Sequence, residues 1–210
     1  MSAAAPRLWI KICGLRTAEA IAAAADAGAD AVGFVFHEDS PRNLAVEQAR
    51  ELRASVPGHV ERVAVFLHPS QALVDAAIAA LQPHWLQTDA EDLDHLRLPQ
   101  HVRALPVFRS GGKLPAQWPS RLLYEGARSG QGELPDWKAA GDIAVRTQLV
   151  LGGGLDPGNV GEAVRRVRPC GVDVSSGVER SRGEKDPVRI REFVEAARAA
   201  ERTGAEENER

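Results

Sequence analysis

The chain has 210 residues, 44% of them hydrophobic, with 26 basic and 29 acidic side chains and a formal net charge of -3. That supports one sizeable core, hence one domain, and the near-balanced charge excludes the basic stripe that nucleic acid or an anionic membrane needs. The opening MSAAAPRLW is too short and polar for a signal peptide and no apolar run could span a bilayer, so a cytoplasmic protein with a small-molecule partner is expected. Without an export signal, Cys13 and Cys170 are expected to be thiols.

Short apolar runs alternate with Ala-rich or helically periodic segments, separated by turn residues. Strands are expected at Leu8–Ile12, Ala31–Phe36, Arg62–Leu67, Trp85–Gln87, Leu105–Phe108, Leu122–Glu125, Leu149–Leu151 and Gly171–Val174. Helices are expected at Thr17–Ala27, Val46–Val56, Gln71–Leu81, Ala90–Leu96, Leu134–Ala140, Pro157–Val167 and Pro187–Ala199. SGGKLPAQWPS, between strands five and six, is too rich in Gly and Pro for a full helix. The polar tail from residue 201 is expected to be disordered, leaving residues 1–200 as the domain.

Eight parallel strands with intervening helices close into a (β/α)₈ TIM barrel, here with one helix degraded to a loop. An open doubly wound sheet fits the alternation too, but usually has fewer strands. In a barrel, catalytic side chains come from the C-terminal ends of strands. Those ends carry Cys13, His37, His68, Gln87 with Asp89, Arg109, Glu125, the glycines at 152–154, and DVSSG at 173–177.

Alternation places Lys11 and Cys13 on one strand face and Ile10 and Ile12 on the other. If the isoleucines face the helices, Lys11 points at the barrel axis, where Asp173 on the neighbouring last strand supplies the carboxylate a buried lysine needs. By residue chemistry alone, Cys13 reads either as a small buried hydrophobe or as a reactive thiol. Cys170 precedes the last strand, at the opposite end of the barrel, too far from Cys13 to pair.

LVLGGGLDPGNV ends strand seven in glycines, including Gly153 and Gly154, and GVDVSSGVE ends strand eight in Ser175, Ser176 and Gly177. Two such loops in succession suit a phosphate held by backbone amides and helix N-termini.

Together KICGLR at 11–16, DAVGFVFHEDSPRNL at 30–44, VAVFLHPS at 63–70, LQTD at 86–89, GQG…DW at 130–137, LGGGLDPGNV at 151–160 and GVDVSSGVE…GEKD at 171–186 resemble the phosphoribosylanthranilate isomerase family of tryptophan biosynthesis. The resemblance implies an Amadori rearrangement of a phosphosugar without metal or organic cofactor, by a monomer or homodimer. It implies that Cys13 is the general base, that Arg42 contacts the anthranilate carboxylate, and that Asp173 sits at the barrel mouth near the ribose hydroxyls. The chain departs from the commoner family pattern at strand six, where LLYEG stands in place of an aspartate; Glu125 is taken as the general acid, with Tyr124 the weaker option and a solvated glutamate the bland one.

Three other readings compete. A metal-dependent ribulose-phosphate epimerase would use His37, Asp39, His68 and Asp173 as ligands. A phosphosugar-binding protein without turnover would account for the missing aspartate. A broader-specificity isomerase would need a second anion site, which the first half of the chain lacks.

Overall fold

The structure, a computed structural model, describes residues 7–128 and 132–208, with side chains through residue 203. Parts of the terminal segments and of the GQG stretch (Gly130, Gln131) lie outside the described residues.

Eight parallel strands close in sequence order: β1 (Trp9–Cys13), β2 (Ala31–Phe36), β3 (Glu61–Phe66), β4 (Trp85–Asp89), β5 (Arg103–Arg109), β6 (Arg121–Glu125), β7 (Gln148–Leu151) and β8 (Gly171–Val174). The helices are α1 (Ala18–Asp26), α2 (Val46–Arg53), α3 (Gln71–Leu81), α4 (Trp137–Ala144), α5 (Val160–Val167) and α6 (Pro187–Asn208). A short antiparallel pair, β9 (Glu179–Ser181) and β10 (Glu184–Lys185), follows β8. This closed barrel is the expected architecture, and the segment between β5 and β6 forms no helix. Among the described residues no helix is long and apolar enough to cross a membrane.

Alternation along the strands divides the core into two layers. Ile10, Ile12, Val32, Phe34, Leu122, Tyr124 and Val172 pack outward against the helices. Trp9, Ala31, Val63, Trp85, Leu105, Val107, Leu123 and Val150 fill the barrel itself. Lys11 and Cys13 therefore share the axial face with Trp9, and closure sets Lys11 opposite Asp173 in the β1–β8 register. Gly33 pairs with Cys13 across β1 and β2; a Cβ there would lie 2.9 Å from the Cys13 sulfur and 3.1 Å from Lys11 Cε, so glycine makes room for both side chains.

Helix starts follow local capping chemistry. Thr17 Oγ1 accepts from Ala20 N at 3.2 Å to open α1, and Ser70 Oγ accepts from Leu73 N at 3.2 Å to open α3. Four expected elements need correction. The helix expected from Leu134 starts at Trp137, because Pro135 interrupts and Asp136 Oδ1 caps Lys138 N and Ala139 N. The helix expected from Pro157 starts at Val160, because Asp156 Oδ1 takes Gly158 N and Asn159 N into a turn. The helix expected over Ala90–Leu96 is a 3-10 turn at Ala90–Asp94, where Thr88 donates to Asp92 at 2.5 Å and Asp92 also bonds His68. The tail from 201 is helical to Asn208: Ala, Glu and Arg are good helix formers, and Glu201 accepts from Leu8 N at 2.5 Å.

Candidate active site

The C-terminal strand ends surround a cavity of about 240 Å³ whose lining includes Cys13, Arg42, Gln87, Glu125, Asp173 and Ser175. A wider groove of about 510 Å³ lies outside the barrel between Arg16 and the β9–β10 hairpin and holds neither Cys13 nor Glu125. Cys13, from β1, and Glu125, from β6, thus enter the same cavity from strands well separated around the barrel.

Three charged groupings shape this mouth. The first is Lys11, fully buried, with its ammonium 2.6 Å from Asp173 Oδ1. Burial acts to lower the Lys11 pKa, but Asp173 and Cys13 beside it outweigh burial and hold it above its ordinary value. The Cys13 thiol is pushed up: burial dominates, Lys11 opposes it, and Asp173 adds to it. Lys11 therefore stands where the sequence places it, yet its field does not overcome the cost of burying a thiolate.

The second grouping joins Arg42 to Glu179 and Lys185. Arg42 Nε and Nη2 donate to the two Glu179 oxygens at 2.7 and 2.9 Å, and Lys185 Nζ donates to Glu179 Oε1 at 2.8 Å. Burial raises the Glu179 pKa, but Arg42 and Lys185 win and bring it down to about 2. Lys185 also donates to Ser175 O at 2.9 Å and Oγ at 3.2 Å, and Ser175 Oγ donates to Cys13 O at 3.1 Å. The Ser175 hydroxyl is thereby spent on tying β8 to β1.

The third grouping is Arg109, which bonds Asp89 at 2.6 Å and Glu125 at 3.2 Å. Glu125 points into the mouth while Tyr124 packs outward, its hydroxyl accepting from Ser110 Oγ at 3.0 Å, as strand alternation requires.

The glycine loops pack on one another. Gly153 and Gly154 have φ of 81° and 61°, which favours glycine, and a Cβ on Gly154 would lie 2.7 Å from Gly132 O. A Cβ on Gly132 would in turn lie 3.3 Å from Ser176 Oγ, and one on Gly177 would strike Leu155 O. The loops after β6, β7 and β8 thus meet at one spot beside the cavity.

The epimerase ligand set is not assembled. Among the described residues the one group of three or more His, Cys, Asp or Glu side chains with converging ligand atoms is His68, Asp89 and Glu91, not His37, Asp39, His68 and Asp173. His68 is paired with Asp92 at 2.8 Å, and Asp173 is held by Lys11. Glu179, Lys185 and the pairing role of Arg109 were not singled out by sequence reasoning; the signals were the GVE…GEKD block and the strand-end position of Arg109.

A closed parallel barrel with titratable side chains gathered at its C-terminal mouth belongs to the enzyme class of (β/α)₈ barrels. A family model described as N-(5'phosphoribosyl)anthranilate (PRA) isomerase matches residues 10–196. The N-(5'-phosphoribosyl)anthranilate isomerase of Rhodopseudomonas palustris is 40% identical over 209 residues, covering 91% of this chain and 98% of its own. A crystal structure of phosphoribosyl anthranilate isomerase in complex with reduced 1-(o-carboxyphenylamino)-1-deoxyribulose 5-phosphate superposes with a TM-score of 0.74 at 27% identity, over 92% of this chain and 100% of that one. Monomers derived from the dimeric enzyme of Thermotoga maritima give a TM-score of 0.74 at 28% identity, with 92% and 100% coverage. The chain belongs to the N-(5'-phosphoribosyl)anthranilate isomerase family.

Proposed function

We propose that this chain is a cytoplasmic enzyme of tryptophan biosynthesis, a monomer or homodimer, that isomerises N-(5'-phosphoribosyl)anthranilate to 1-(2-carboxyphenylamino)-1-deoxyribulose 5-phosphate without metal or organic cofactor. The observation that carries the reading is the meeting of Cys13 and Glu125 in one cavity, beside a guanidinium and below a set of glycine loops.

In this reading the phosphate rests on backbone amides of Gly153, Gly154, Ser176 and Gly177, with Ser175 contributing its backbone because its hydroxyl is engaged. Glu179 occupies the Nε–Nη2 edge of Arg42, and Nη1 makes no hydrogen bond among the described residues, so the other edge of the guanidinium serves the anthranilate carboxylate. Asp173 spends Oδ1 on Lys11 and offers its second oxygen to a ribose hydroxyl.

Glu125 gives a proton to the furanose oxygen; the C1–O bond breaks and the nitrogen lone pair forms C1=N. Cys13 then removes the C2 proton, the C–H electrons form C1=C2 as the C1=N π electrons return to nitrogen, and the enolamine tautomerises to the ketone. Burial makes the thiolate scarce and, once formed, a stronger base.

A fluorescence assay with freshly generated phosphoribosylanthranilate tests this. Loss of substrate fluorescence at an enzyme-like rate, unaffected by exhaustive chelation, is expected. Binding without turnover would identify a phosphosugar-binding protein, and zinc-dependent turnover would reopen the epimerase reading.

A further inference from the structure

We infer that Gln87 is a further substrate contact, its side-chain carbonyl accepting a hydrogen bond from the nitrogen that joins the aromatic ring to the sugar. The inference rests on the isomerase reading above and adds a residue to it.

Gln87 lies on β4 and is 6% exposed. Its Oε1 is buried and has no hydrogen-bond partner among the described residues. Unmet buried acceptors are rare in folded proteins because they forfeit hydration without replacing it. This one belongs to a side chain lining the same cavity as Cys13 and Glu125.

The neighbourhood selects the donor. Gln87 pairs in register with Val65 of β3, and Val65 with Val35, Phe66 and Leu67 makes the cavity's apolar wall. An anthranilate ring suits that wall, with its carboxylate on Arg42. The aromatic half of the substrate has one hydrogen-bond donor, the N–H ortho to that carboxylate. Three of the cationic groups nearby are already engaged: Lys11 with Asp173, Arg109 with Asp89 and Glu125, and Arg42 with Glu179 on one edge, its other edge serving the carboxylate in this reading. An acceptor beside the ring wall therefore meets the bridging nitrogen.

The contact has a catalytic consequence. When the furanose opens, that nitrogen becomes a protonated imine, and a hydrogen bond from a cationic donor is stronger than one from a neutral amine. Gln87 thus stabilises the charge that develops on the path to C2 deprotonation.

The test uses two inhibitors, the reduced product analogue with its secondary amine and the same molecule with an ether oxygen in place of N–H. The parent enzyme should bind the amine about tenfold more tightly than the ether. Gln87→Met, of similar size but with no acceptor, should bind the two about equally, with kcat lower by about 10- to 100-fold and inorganic phosphate inhibition unchanged. A Gln87→Met enzyme that keeps the parent's preference for the amine overturns the inference alone. Equal binding of both inhibitors by an active parent does the same and needs no variant. A parent that neither turns over phosphoribosylanthranilate nor binds the amine overturns the isomerase reading and this inference together.

Discussion

The two ends of the barrel are built from the same kinds of side chain to opposite effect. At the N-terminal end, where the strands begin, Trp9 and Trp85 meet edge to face at 6.3 Å, and both indole N–H groups donate to Glu61 Oε2, at 3.0 and 2.8 Å. Arg103 pairs with Glu61 and lies 3.9 Å over the Trp85 ring, while Arg121 lies 4.9 Å over the same ring. Each polar group there has a partner and aromatic area seals the floor. At the C-terminal end the arginines and carboxylates pair around a cavity, a thiol is buried against its preference, and the Gln87 carbonyl lacks a partner among the described residues. The floor is spent on stability; the mouth keeps unfavourable burial that a substrate can relieve.

The sharpest way to break this contrast is at the mouth. Glu125→Gln keeps size and polarity but has no proton to give, so kcat should fall by about 100- to 10,000-fold while product still binds. Glu125→Asp should retain measurable activity and Tyr124→Phe should cost little, because Tyr124 faces the helices. Steady-state turnover and product inhibition check all three, and loss of activity confined to Tyr124→Phe would move the acid to that residue.

At the floor, Trp85→Ala should destabilise by about 3 to 5 kcal/mol through the cavity it leaves, with turnover of the folded fraction near that of the parent. Urea unfolding alongside native-state kinetics separates the two effects. A stable but inactive variant would contradict the division of labour.

A smaller effect sharpens the account of the thiol. In the proposed mechanism the base works deprotonated, and burial pushes Cys13 above the ordinary cysteine value, so the rate of Cys13 alkylation, read against Cys13→Ser, should keep rising with pH from neutrality into the alkaline range. A profile already flat at neutral pH would show that Lys11 prevails over burial.

Much of this was legible in the sequence because it depends on period and order. Apolar runs marked the strands, and period-2 alternation with closure of strand eight on strand one brought Lys11 to Asp173 and turned Glu125 inward. The starts at Trp137 and Val160 were missed because aspartate turns override helical periodicity locally. The bond from Arg42 to Glu179 spans 137 residues of sequence, and that from Arg109 to Glu125 depends on neighbouring strands. No local pattern encodes such pairs; they exist once the barrel closes.

The central claim is that one thiol in this mouth removes the C2 proton, and Cys13→Ser tests it most directly. With the phosphate and carboxylate anchors left in place, kcat should fall by about 100-fold or more while product affinity stays within about twofold of the parent, and Cys170→Ser, altered outside the cavity, should match the parent in both. A Cys13→Ser enzyme that turns over at close to the parent rate would remove the thiolate from the mechanism.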